Sequence, residues 1–283
     1  MRPRKRASQM SEVSPGTTAV NKRSADRARV TTAMRDSLRW SLRMGIVLAV
    51  LIGLWHLAVE ISGVHPVVLP PPTLVAETLI SRIPLFASSM WSTIQTLIYG
   101  FLIGSIAGAL AAFIVYYSKR ARWALYPYLV ALFVIPKAVY IPLLILWIGA
   151  GRSYQVIIAA LFAFFPLTDN TLKGLQGVDR DLIDMGRLLE ASEWTIFTRL
   201  QLPAISPYMV AGMKVGLSEA FVGAVLAELL VPATGIGARI MEAVGPSNTE
   251  FILAGILVIA VVGIITYLGM EMIERRMLFW HYE

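Results

Sequence analysis

Four ionisable residues stand inside long apolar runs of this chain: Lys137, Lys214, Glu219 and Glu228. Charges at such depth are costly and face a bundle interior or a water-filled path, so each marks a candidate for solute or ion contact. Lys137 lies between Pro136 and Pro142 and could attract an anion or pair with Glu219 or Glu228. Lys214 sits two turns into its run, from where it can snorkel to the surface. Catalytic chemistry finds little support. Ser105 and Ser218 could serve as nucleophiles, but no histidine lies at matching depth for a base. His56, His65 and His281 are scattered without metal-ligand spacing, and the chain contains no cysteine, which excludes thiolate sites and disulfides. No phosphate-binding G-x-x-x-x-G-K-[ST] loop occurs, so ATP hydrolysis is not expected of this chain.

The elements that carry these residues follow from hydropathy. The composition is 57% hydrophobic and 15% charged, with a mean hydropathy of +0.67. Ile83–Ser118 holds no charge at all, and Phe251–Met270 is long enough for a helix to cross a bilayer. Backbone groups in lipid must be satisfied within the segment, and no period-2 alternation signals a barrel. The fold class is therefore all-α, a polytopic helical membrane protein with about six spans near 42–62, 93–117, 123–147, 153–172, 207–231 and 251–270. The third is expected to kink at its prolines. After Pro70–Pro72, Thr73 can cap a short surface helix, and Ser206 with Pro207 reads as the start of span five. Gly100, Gly104 and Gly108 form a small-residue ridge expected to pack within the chain.

The net charge of +7 is a topology signal rather than a nucleic-acid footprint. With the N-terminus inside, the segments Met1–Arg43, Ser118–Arg122, Lys173–Ser206 and the C-terminal tail carry all but five of the 25 Lys and Arg residues. Only Arg82, Arg152 and Arg239 fall outside. That bias puts both termini, and the segment Lys173–Ser206, on the cytoplasmic side of a multi-pass membrane protein. Residues 1–42 form a basic tail expected to be disordered, 43–272 a membrane domain with a polar loop at about 176–203, and 273–283 a short tail.

That polar loop interleaves Lys173, Arg180, Arg187 and Arg199 with Asp179, Asp181, Asp184, Glu190 and Glu193. Balanced signs argue against a lipid-headgroup patch. Leu182, Met185, Leu188 and Leu189 share one helical face; Trp194, Phe197 and Leu200 share another. Ala191-Ser192 can end the first helix and cap the second, and Leu202-Pro203 should stop it. Two such short helices need a surface to rest on, either the ends of the spans or a partner's groove.

The loop resembles the E-A-A-x3-G-x9-I-x-L-P coupling element of permease subunits of binding-protein-dependent ABC importers. Asp184-Met185-Gly186, then Glu190, then Leu200-x-Leu202-Pro203 match its spacing without a gap. Asp replaces Glu, Met-Gly replaces Ala-Ala, Leu replaces Ile, and Glu190 stands where glycine is expected, leaving Ala191-Ser192 to carry the turn. Four further stretches resemble the nitrate/sulfonate/taurine branch: "LPPPTLV", "IPKAVYIPLLILWIGAG", "FFPLTDNTLKGLQGVDRDLI" and "AELLVPATGIGARI".

The resemblance implies an importer permease that forms the path for a small anionic solute such as a sulfonate, taurine or nitrate. A periplasmic or lipoprotein binding protein would deliver the solute, and a cytoplasmic ATPase would hold ATP and Mg on its own chain. Asp184, Met185, Gly186, Glu190, Ala191, Ser192, Leu200, Leu202 and Pro203 would couple to that ATPase, with Lys137, Glu219 and Glu228 as path candidates. No cofactor or metal is expected in this chain, and its partners would be a second copy of itself and membrane lipid, not nucleic acid. The alternative is a secondary transporter driven by an ion gradient, although such folds often show internal repeats and none is visible.

Overall fold

The structure, a computed structural model, describes Arg39 and residues 42–278, so the basic tail and its expected disorder lie outside the described residues. The chain divides into two units, Met1–Gly63 and Val64–Glu283. The first holds α1 (Leu42–Ser62), 21 residues long and apolar enough to cross a membrane. It coincides with the expected first span.

The second unit begins with α2 (Pro72–Ser81). Pro72 rather than Thr73 opens it: a proline at the first helical position gives up only an N–H that has no helical partner. Helix α3 (Ile83–Tyr117) starts ten residues before the expected span, because Ile83–Met90 is uncharged and Pro84 again fits a first turn. Then come α4 (Lys119–Val134), α5 (Tyr140–Ile148) and α6 (Arg152–Gly177). The polar loop holds α7 (Arg180–Leu188) and α8 (Glu193–Ile196), followed by α9 (Leu202–Leu230), α10 (Ile236–Val244) and α11 (Thr249–Met277).

Helix α6 is the centre, flanked by α3 and α9. Tyr154, Gln155, Ile158, Ala159 and Ala163 on it are fully buried. The glycine ridge explains the closeness of α3. A Cβ at Gly104 would overlap the Ala160 carbonyl, and one at Gly108 would stand 2.6 Å from the Phe164 carbonyl oxygen. On the other flank, Gly223 receives the Phe162 ring and Gly212 receives Leu167. Without a hydrophobic drive between helices in lipid, such backbone approach supplies the packing energy. The ridge therefore serves the chain's own core, as its spacing suggests.

The third span is not merely kinked. Its two halves, Lys119–Val134 and Lys137–Ile148, meet at 94°. Pro136 holds Ile135 in an extended conformation (φ −67°, ψ 129°), and a single 3₁₀ turn, Lys137–Val139, leads through the bend into α5.

Span five starts earlier than Ser206. Helix α8 runs through a π turn at Phe197–Gln201 straight into α9, so Leu202-Pro203 stops nothing, and Ser206 and Pro207 lie within the helix. Two local adjustments permit this. Pro203 has no N–H, and the turn before it widens so that the Leu202 N–H reaches the Phe197 carbonyl. Pro207 leaves the Pro203 carbonyl without its helical donor, and the Ser206 hydroxyl donates to that oxygen instead, at 2.8 Å.

Candidate functional site

Helix α7 is capped by the Asp179 side chain, which accepts from the Asp181 N–H at 2.9 Å. Its far end is a Schellman closure: the Ala191 N–H reaches the Gly186 carbonyl (3.1 Å) and the Glu190 N–H reaches that of Arg187 (2.9 Å). This geometry forces residue 190 to φ 57°, the left-handed region. The glycine that the resembled motif carries at this place has a backbone reason, and Glu190 bears the strain in its stead. The turn itself is intact. Ser192 then caps α8, accepting from the Thr195 N–H at 3.2 Å, while Glu193 in its first turn pairs with Arg187 at 3.0 Å.

The inner side of this helix pair sets Gly186 against Ile196 and Leu200, and Ile183 of α7 is buried as well. Gly186 is needed there, because a Cβ would stand 3.1 Å from Ile196 and 3.2 Å from Leu200. The apolar face that spacing marks on α7 points away, as does Trp194, whereas Phe197 and Leu200 of the second face turn inward. Leu188, Leu189 and Trp194 are 84%, 75% and 72% exposed, and Leu182 and Met185 are exposed as well. Asp184, Glu190, Ser192, Leu202 and Pro203 are exposed too, while Ala191 and Leu200 are half-buried.

The loop is fixed to the bundle by contacts that spacing does not announce. Phe113 and Tyr117 at the end of α3 meet the Phe197 ring edge-on, at centroid distances of 5.6 and 6.3 Å. The Tyr117 hydroxyl bonds to buried Gln201 within the π turn. These partners lie 84 positions apart, and only the fold pairs them.

Within the spans, Lys137 at the break donates to Glu219 on α9 at 2.6 Å, with its ammonium 4.6 Å from the Phe162 ring centre. The partner left open between Glu219 and Glu228 is thereby decided. Lys214 pairs with Glu274, near the C-terminal end of α11, at 2.8 Å.

Glu228 is completely buried. Its carboxylate accepts from Thr93 Oγ1 (2.9 Å) and the Gly237 N–H (3.0 Å), and Thr93 Oγ1 accepts from the Ile236 N–H (3.0 Å). One acid thus satisfies the start of α10, a helix that the sequence reading does not contain. Gly235, at φ 101°, lies so close that any Cβ would overlap the carboxylate. Gln155 ties the same segment to α6 by donating to the Thr234 carbonyl (3.2 Å), and Tyr154 sets its hydroxyl against the Val231 carbonyl (2.8 Å). Thr93, Tyr154 and Gln155 carry no motif in the sequence that singles them out.

Spans joined through a two-helix loop with an exposed apolar face, and a partly exposed charge pair at a broken helix, define a membrane transport subunit rather than an enzyme. The chain belongs to the family of binding-protein-dependent transport system inner membrane components, whose pattern matches residues 100–279. It is an importer permease, and ATP hydrolysis resides in a separate subunit. A Bacillus subtilis protein named for aliphatic sulfonates transport, SsuC, is 34% identical over 86% of this chain and 89% of its own length. The taurine transport permease TauC of Escherichia coli is 26% identical over 87% of this chain and 94% of its own. A riboflavin transport permease, RibX of Chloroflexus aurantiacus, is 29% identical over 89% and 96%. Among solved structures, a chain of the inward-facing methionine transporter MetNI superposes with a TM-score of 0.60, over 69% of this chain and 97% of that one, at 16% identity.

Proposed function

We propose that this permease conducts a small organic or inorganic anion, of the sulfonate, taurine or nitrate type, from a separate binding protein across the inner membrane. Two copies line one path, with both termini and the α7–α8 loop on the cytoplasmic side. The loop seats in a groove of the ATPase, which holds ATP and Mg, as a helix laid into a partner. The observation that carries this reading is the exposed apolar row of Leu182, Met185, Leu188, Leu189 and Trp194 on an otherwise well-capped loop. Closure of the ATPase pair would move α8, and α9 would carry that movement into the bundle because no break separates them. Lys137 and Glu219 face the path, while Glu228 works from behind by holding the segment before α10.

The absence of cysteine supplies the test. Ala191→Cys spares the Ser192 cap and places one thiol in the turn. A short thiol–amine cross-linker in native membranes should join it to a P-loop ATPase, identified by mass spectrometry. Labelling by small thiol reagents from the inside without any such adduct would remove the loop from coupling.

A further inference from the structure

The Lys137–Glu219 pair has an unusual exposure for its depth. Its side chains are 19% and 39% accessible, yet both sit within membrane-spanning segments. A carboxylate two-fifths open cannot face hydrocarbon, so this side of α9 looks onto a polar path. The pair also stands at the sharpest break in the bundle, where two half-helices meet at 94°. Broken helices at mid-membrane are where transporters hold their solutes.

We infer that Lys137 and Glu219 form a two-handed site for a zwitterionic solute, one carrying an ammonium and a strong-acid group a few bonds apart. This inference rests on the reading of the pair as part of the solute path. The two side chains separate, Lys137 takes the acid group and Glu219 takes the ammonium. One ion pair is exchanged for two, and the net charge of the site stays zero at each stage. A simple anion cannot do the same. It would bind Lys137 only by stranding the Glu219 carboxylate, and an uncompensated charge in a poorly solvated site is strongly unfavourable. Among the sulfonate, taurine and nitrate solutes proposed above, the site therefore favours the one that also carries an ammonium, although each offers an acid group to Lys137. The Phe162 ring holds the ammonium of Lys137 in place while the carboxylate partner is exchanged.

The full-length chain in lipid nanodiscs is offered 2-aminoethanesulfonate and ethanesulfonate, and saturation-transfer NMR titrations give the apparent affinity of each. The wild type should favour the amino compound by about tenfold or more, a difference of ~1.4 kcal/mol or more. Glu219→Gln leaves Lys137 without its partner and should reverse the order, now favouring ethanesulfonate. Lys137→Gln should weaken both. The exchange Lys137→Glu with Glu219→Lys keeps the pair and should restore the preference for the amino compound, which guards against single variants that fail to fold. Equal or better binding of ethanesulfonate to the wild type, no transfer to either probe, or an unchanged order in Glu219→Gln would overturn the inference. Cross-linking from residue 191 does not involve this pair. A chain that captures the ATPase but shows no preference loses only the zwitterion site, whereas a chain that captures none loses the coupling role of the loop.

Discussion

Replacing Glu190 with glycine should make this protein more stable, although the change removes a side chain and loosens the unfolded chain. The residue sits at φ 57° because two hydrogen bonds close the end of α7 around it. An L-residue with a Cβ pays roughly 1–2 kcal/mol to hold that conformation. Glycine avoids the penalty but loses about 0.5–1 kcal/mol to its greater freedom when unfolded. The difference leaves a net gain of about 0.5–1 kcal/mol, or roughly 2 °C in apparent melting temperature for a chain of this size. Glu190 is exposed and makes no side-chain hydrogen bond or ion pair among the described residues, so little is lost to offset the gain. The control is Glu190→Ala, which removes the charge but keeps the Cβ and should change stability by less than about 0.5 kcal/mol. Thermal unfolding in detergent, with amide exchange of Gly186–Ile196 as the local readout, compares the three proteins. A glycine variant no more protected than the alanine variant would refute the argument, because the left-handed turn would then carry no strain.

Two further substitutions probe the bundle. Gly104→Val drives a side chain into the Ala160 backbone of α6 and should cost about 1–3 kcal/mol by overpacking, whereas Gly269→Ala, with nothing within 4 Å, should gain up to about 1 kcal/mol in helix propensity. Recovery of monodisperse protein after a heating series separates the two signs. Gly235→Ala would need a left-handed non-glycine residue and a displaced Glu228 carboxylate at once. It should expose the start of α10 to faster amide exchange while leaving the α7–α8 loop unchanged, and equal exchange in both segments would refute the clamp.

Much of this molecule is written in local pattern. Runs of apolar residues dictated helices that cross the membrane, because lipid leaves the backbone no other way to satisfy its polar groups. The spacing of Gly100, Gly104 and Gly108 specified a close helix contact, since only a missing Cβ allows it. Ala191-Ser192 announced the junction of two short helices, with Ser192 as the cap of the second, because caps and turns are made by neighbours in sequence. The prolines were ambiguous. Pro207 read as a helix start, yet a neighbouring serine hydroxyl supplied the missing hydrogen bond and the helix continued. Pro136 read as a kink, yet the chain turned by 94°.

What the sequence could not decide was which distant groups meet. Lys137 could have paired with either of two acids; the path of α9 brought Glu219 to it and sent Glu228 to the start of α10. Tyr117 and Gln201, or Thr93 and Glu228, are separated by 84 and 135 positions, and no local preference links them. A buried polar atom must find a partner wherever the fold brings one, and that choice belongs to packing among α3, α6 and α9. Local pattern set the long helices, whereas several of their ends were decided by tertiary contacts and the charges in the membrane acquired their roles only when the bundle closed around them.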